Sequence, residues 1–247
     1  MLKKLWKWNA KIGGKLINVD PDAEWADLKE RWKGMRKSPK EFVRLYIEKV
    51  KENFGVILDN DLNALLLKNL NFELTKDQIK VINEISDDLK SNKPMLRLLQ
   101  GDVGSGKTIV AIFAIIQVVG SGSQAALMAP TEVLAQQHYQ NLKQLIKNLD
   151  IEITLIVGKQ STKLKKQNYE NVKNGKSKII IGTHALTSKG LIYKDLKLAV
   201  IDEQHRFGVN QRISIVEKGK DINLLVMTAT PIPRSLALTY YNDMNVS

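Results

Sequence analysis

From residue 75 onward, short apolar runs alternate with longer stretches whose apolar residues recur at helical spacing. The runs predict strands at 95–99, 125–129, 151–157, 178–181, 198–201 and 224–227. Helices are expected at 75–90, through 109–119, at 132–149 and at 161–173. Strands this uniformly apolar are buried on both faces, so the alternation predicts an α/β fold, a parallel sheet flanked by helices. In such sheets, sites form beyond the C-terminal strand ends. Gly101, Pro130, Gly182, Asp202 and Thr228 each follow a predicted strand, and that shared position is itself a functional signal.

Residues 1–70 follow another pattern. All four tryptophans (Trp6, Trp8, Trp25 and Trp32) lie here, and Phe42, Leu45, Tyr46, Val50 and Phe54 recur at helical spacing, as do Leu62, Leu65 and Leu66. A loop-rich start followed by two or three helices is expected. The division predicted is an N-terminal segment at 1–70 and one α/β domain at 71–247.

Composition narrows the partners. A formal charge of +12 favours an anionic partner, although lysine supplies most of it and is spread along the whole chain. With no cysteine, disulfides and thiolate metal sites are excluded. The longest apolar stretch, 109–119, is interrupted by Gln117 and is too short to span a bilayer. The N-terminus lacks the apolar core of a signal peptide. A soluble, cytoplasmic protein without membrane partners is expected.

The chemistry concentrates in two motifs. Gly101-Asp102-Val103-Gly104-Ser105-Gly106-Lys107-Thr108 joins a predicted strand to a predicted helix, the context a phosphate-binding loop requires. Its glycines allow positive φ, so that backbone N–H groups can cradle phosphate at a helix N-terminus. Lys107 is placed to reach the β- and γ-phosphates, and the Thr108 hydroxyl to bind Mg²⁺. The second motif, Asp202-Glu203-Gln204-His205, ends the run 198–201. Asp202 suits the Mg²⁺ shell, and Glu203 suits positioning and polarising the attacking water. His205 as a zinc ligand is disfavoured, because none of the three histidines is paired at ligand spacing.

Four further segments share the edge or approach it. Gln78, in FELTKDQ at 72–78, can both donate to and accept from an adenine edge, which suits selection of ATP. APTEVLAQQ at 129–137 and GTHAL at 182–186 each follow a strand, where amides and hydroxyls can meet the phosphates of a nucleic-acid strand. TATPIPR at 228–234 follows the last strand.

This ordered set resembles the first motor domain of superfamily 2 helicases, and within them most closely the RecG family of ATP-dependent DNA helicases, which remodel branched DNA. The resemblance covers 71–247. It implies a RecA-like fold with ATP and Mg²⁺ as cofactors and branched or forked DNA as partner, in recombination and repair. It also implies that Gln78 reads adenine and that Lys107, Thr108, Asp202 and Glu203 run hydrolysis. Gln204, His205, Thr228 and Thr230 would couple nucleotide state to DNA, and Thr131 and Thr183 would touch the DNA backbone. Transcription-repair coupling translocases are the nearest alternative, but they usually carry Glu at the position of Gln204 and a bulky aromatic at that of Ser105. A non-catalytic nucleotide-binding or interaction module is the reading from a different class, and an RNA-directed motor of the same superfamily is a third. Two departures from the family pattern stand out: 1–70 does not match its wedge domain, and no second motor domain follows 247. The expectation is half an engine, unable to unwind DNA alone.

Overall fold

The computed structural model describes residues 61–91, 93–203, 214–230 and 245–247. The helices expected around Phe42–Phe54 and the tryptophans of the N-terminal segment lie outside them. The chain divides into two compact units, Met1–Gly55 with Leu70–Thr75, and Val56–Asn69 with Lys76–Ser247. The sheet and its helices belong to the second unit.

Its elements run α1 (Asp61–Asn69), α2 (Lys76–Lys90), β1 (Leu96–Gln100), α3 (Lys107–Gly120), β2 (Gln124–Met128), α4 (Glu132–Leu145) and β3 (Ile153–Ile156). There follow α5 (Thr162–Lys173), β4 (Ile179–Gly182), a 3-10 turn (His184–Thr187), β5 (Leu196–Ile201), β6 (Asn223–Thr228) and β7 (Asn245–Val246). Among the described residues, seven strands form one sheet in the order β3-β4-β2-β5-β6-β1-β7, and every pairing is parallel. This is the α/β fold that the apolar runs predict, a parallel sheet flanked by helices.

The core follows from the same pattern. β2 is buried along its whole length, and β4 likewise. α3 is apolar all round, with ten of its residues buried between Ile109 and Val119; a helix with no polar face must be enclosed. It packs against α1, α2, β2 and β5. α5 is the opposite case, a polar helix that buries only Val172.

Most elements shift by a residue or two at their ends, as β3 (Ile153–Ile156) and β5 (Leu196–Ile201) do, and two of the differences have a clear physical cause. Helix α4 stops at Leu145 rather than 149, where the N–H of Ile146 closes onto the Leu142 carbonyl and the chain turns through Leu149. Strand β2 begins one residue early, at Gln124, a fully buried polar side chain. Gln124 donates to the Val172 and Ser177 carbonyls and accepts from the Lys194 and Asp195 N–H groups. All four hydrogen-bonding positions of its amide are satisfied, so its burial leaves no polar atom stranded.

Register aligns the strand ends. Gln100 pairs with Thr228, Ile201 with Met128, and Met128 with Gly182. The loops after β1, β2, β4, β5 and β6 therefore emerge along one edge.

Candidate nucleotide-binding site

Beyond β1 the chain enters a loop whose tip, Asp102 to Ser105, is exposed. Gly104 and Gly106 adopt φ of 82° and 83°, left-handed backbone that a Cβ disfavours. Gly106 is the N-cap of α3 and offers no side-chain cap, and the first turn of α3 holds no acidic residue. The helix thus presents its N-terminal amides and positive dipole end to the loop, an arrangement suited to an anion. Lys107 folds back on the loop: its Nζ donates to the Gly101 carbonyl at 2.6 Å and to the Asp102 carbonyl at 2.8 Å. Phosphate oxygens would satisfy the same donors, and this glycine-lined cradle fits a nucleotide's phosphate chain.

Helix α2 brings Gln78 onto this loop, where its Nε2 donates to the Ser105 carbonyl at 2.9 Å. The fit is close. A Cβ on Gly106 would lie 2.2 Å from Gln78 Nε2.

β6 touches the loop from its other side. The Thr228 carbonyl accepts from the Gly101 N–H at 3.3 Å, while the buried Thr228 hydroxyl meets the Thr230 hydroxyl at 2.9 Å and accepts from the Thr230 N–H. Strand β5 then supplies the acids. Since β6 alone separates β5 from β1, Asp202 and the loop lie about two strand spacings apart, roughly 10 Å. Asp202 is held twice: its N–H donates to the Met128 carbonyl at 2.9 Å, and its Oδ2 bonds His138 Nε2 at 2.8 Å. Glu203 has φ 52°, a left-handed conformation uncommon for a side chain of its size.

The nucleic-acid candidates divide. Thr131 is exposed and caps α4, its hydroxyl accepting from the Leu134 N–H at 3.2 Å. Thr183 is only 3 % exposed, and its hydroxyl is buried without a hydrogen-bond partner. It lies between Gly182, pressed against the Ile156 carbonyl, and the wholly buried Leu186. Its hydroxyl is therefore not at the surface, where a backbone-contacting group is needed. Gln204, His205 and the segment 231–234 lie outside the described residues. Sequence reasoning missed His138; its signal was a histidine directly behind the 129–137 motif, at i+3 from Ala135 and i−4 from Leu142, both of which are buried.

A parallel sheet carrying a glycine-rich loop, a lysine at the helix start and a strand-end Asp-Glu pair defines a nucleoside-triphosphate motor domain. The DEAD/DEAH box helicase model matches residues 75–239, and the chain belongs to that family. Within it the chain is RecG-like. It is 48% identical over 190 residues to the ATP-dependent DNA helicase RecG of Borreliella burgdorferi, covering 77% of this chain and 28% of that protein. It is 49% identical over 183 residues to RecG of Aquifex aeolicus, covering 73% and 23%. The structure of RecG bound to a three-way DNA junction superposes with a TM-score of 0.67 at 42% identity, over 75% of this chain and 25% of that one. A DEAD box protein from Methanococcus jannaschii shares the fold, with a TM-score of 0.57 at 24% identity. The chain spans about a quarter of the length of the RecG proteins it matches. Among the described residues no helix is long and apolar enough to cross a membrane.

Proposed function

We propose that residues 71–247, with α1 packed on α3, form the ATP-binding first motor domain of a RecG-like DNA helicase acting on branched or forked DNA in recombination and repair. The carrying observation is the shared edge: phosphate loop, strand-end acids and Thr228 all converge there, and the loop is bonded directly to β6. Bound MgATP would supply a labile phosphoanhydride whose charge the metal spreads. Lys107 exchanges its two loop carbonyls for phosphate oxygens. The Thr108 hydroxyl and the Asp202 carboxylate would hold the metal, and Glu203 would orient a water and accept its proton. Gln78 recognises adenine while tethered to Ser105. Thr228 and Thr230, with Gln204 and His205, couple the nucleotide site to DNA. Thr131 stands at the amide-rich start of α4, where a DNA backbone phosphate fits.

Equilibrium binding of a fluorescent, non-hydrolysable ATP analogue tests this reading. Lys107→Ala removes charged hydrogen bonds and should weaken Mg²⁺-nucleotide binding about 10- to 100-fold. Glu203→Gln should bind as wild type but lose hydrolysis measured by phosphate release. Equal loss of affinity in both variants contradicts the assignment.

A further inference from the structure

We propose that His138 is a positioning residue for Asp202, fixing the carboxylate that receives the divalent cation. This rests on the nucleotide-site reading above and extends it to a helix outside the phosphate loop and the strand-end acids. α4 starts at the N-cap Thr131, and His138 lies two turns in, on the stripe that buries Ala135 and Leu142. An imidazole on such a stripe needs a polar partner. Among the described residues it meets Asp202, 64 residues away, with the two side chains only 11% and 14% exposed.

A carboxylate can only accept here, so His138 carries its proton on Nε2. At 2.8 Å with little solvent, this is a charge-assisted bond that engages Oδ2 and holds the side chain in one rotamer. The backbone of Asp202 is pinned independently to Met128, so main chain and side chain are both set before any ligand arrives. The other carboxylate oxygen is then the one offered to the cation. Outer-shell donors of this kind orient metal-binding carboxylates, and their removal costs about 10- to 100-fold in metal affinity.

Binding of the fluorescent ATP analogue to the chain, in EDTA and in Mg²⁺, gives the measurement: the ratio of the two affinities is the cation's contribution. Asp202→Asn sets its floor. His138→Ala should carry the ratio most of the way to that floor, a loss of about tenfold or more, while binding in EDTA stays within about twofold of wild type. His138→Gln, whose Nε2 reaches about as far as that of histidine, should restore the ratio; His138→Asn, one bond shorter, should not. Nitrogen NMR of the nucleotide-free protein should place the proton on His138 Nε2 and show a shifted signal in Asp202→Asn. A wild-type ratio in His138→Ala, or equal rescue by Gln and Asn, overturns the proposal. Should Lys107→Ala bind nucleotide as wild type, the phosphate-loop reading fails instead, and the NMR signature still reports on the His138–Asp202 bond.

Discussion

Replacing Gly106 with alanine perturbs the candidate site in two ways that can be separated. The first is conformational: Gly106 has φ 83°, and left-handed backbone costs a residue with a Cβ about 1–2 kcal/mol. The second is a collision, because the new Cβ would sit 2.2 Å from Gln78 Nε2. A glutamine amide can swing away cheaply, but doing so abandons its bond to the Ser105 carbonyl, worth about 0.5–1 kcal/mol at an exposed position. Gly104 is the internal control, with φ 82° and no atom within 4 Å of the place its methyl would take. Where each variant's free loop relaxes to negative φ and binding returns it to the left-handed conformation, Gly104→Ala suffers strain alone and should weaken nucleotide binding about 5- to 30-fold. Gly106→Ala should weaken it a further two- to fivefold, taken as about 0.5–1 kcal/mol. The assay is a double-mutant cycle by fluorescence titration of the ATP analogue. In the Gln78→Ala background the extra penalty of Gly106→Ala should vanish, because the side chain it displaces is gone. Strict additivity of Gly106→Ala and Gln78→Ala, or a larger loss for Gly104→Ala, would refute the reasoning.

Two further predictions concern stability. At Gly182 a Cβ would fall 2.1 Å from the Ile156 backbone oxygen across the β3–β4 pairing, so Gly182→Ala should cost about 2–4 kcal/mol in urea unfolding; Gly190→Ala, whose Cβ meets nothing nearer than Tyr169 Cε2 at 3.6 Å, should change stability by less than about 1 kcal/mol. Burial, with Tyr169 adding, drives the Tyr193 phenol well above its usual value, whereas the unfolded phenol ionises near pH 10. Folding therefore binds a proton above about pH 10, and Tyr193 should lower stability by up to about 1.4 kcal/mol per pH unit there; Tyr193→Phe should flatten that decline, measured against wild type because burial of Lys218 lowers its pKa and acts in the opposite direction.

What was legible in the sequence depended on locality. The apolar runs that became β2, β4, β5 and β6 had to be strands buried on both faces, and 109–119 had to be an enclosed helix, because each signal lies within one element. The phosphate loop was legible for the same reason, since its glycines, lysine and flanking elements are contiguous. Strand order was not: β1 sits between β6 and β7, partners more than 120 residues away, and hydrophobic pattern carries no information about which buried strand lies beside which.

The polar residues inside the core were the hardest to place, and they account for the main surprises. Gln124 looks like the end of a loop because periodicity scores it as polar; only the four partners supplied by α5, the turn before β4 and the approach to β5 make a buried glutamine tolerable. Thr183 looks like a surface hydroxyl because it stands in a strand-end motif, but Gly182 brings the chain so close to β3 that the next side chain is enclosed. His138 looks like one more polar position on an amphipathic helix until Asp202 is set opposite it. In each case the deciding contact is with an element distant along the chain, so the cost of burying the group cannot be judged from its sequence neighbours. A polar residue on an otherwise apolar stripe is thus a demand for a partner, and when that partner is a strand-end acid beside a phosphate loop, the demand reaches the candidate site itself.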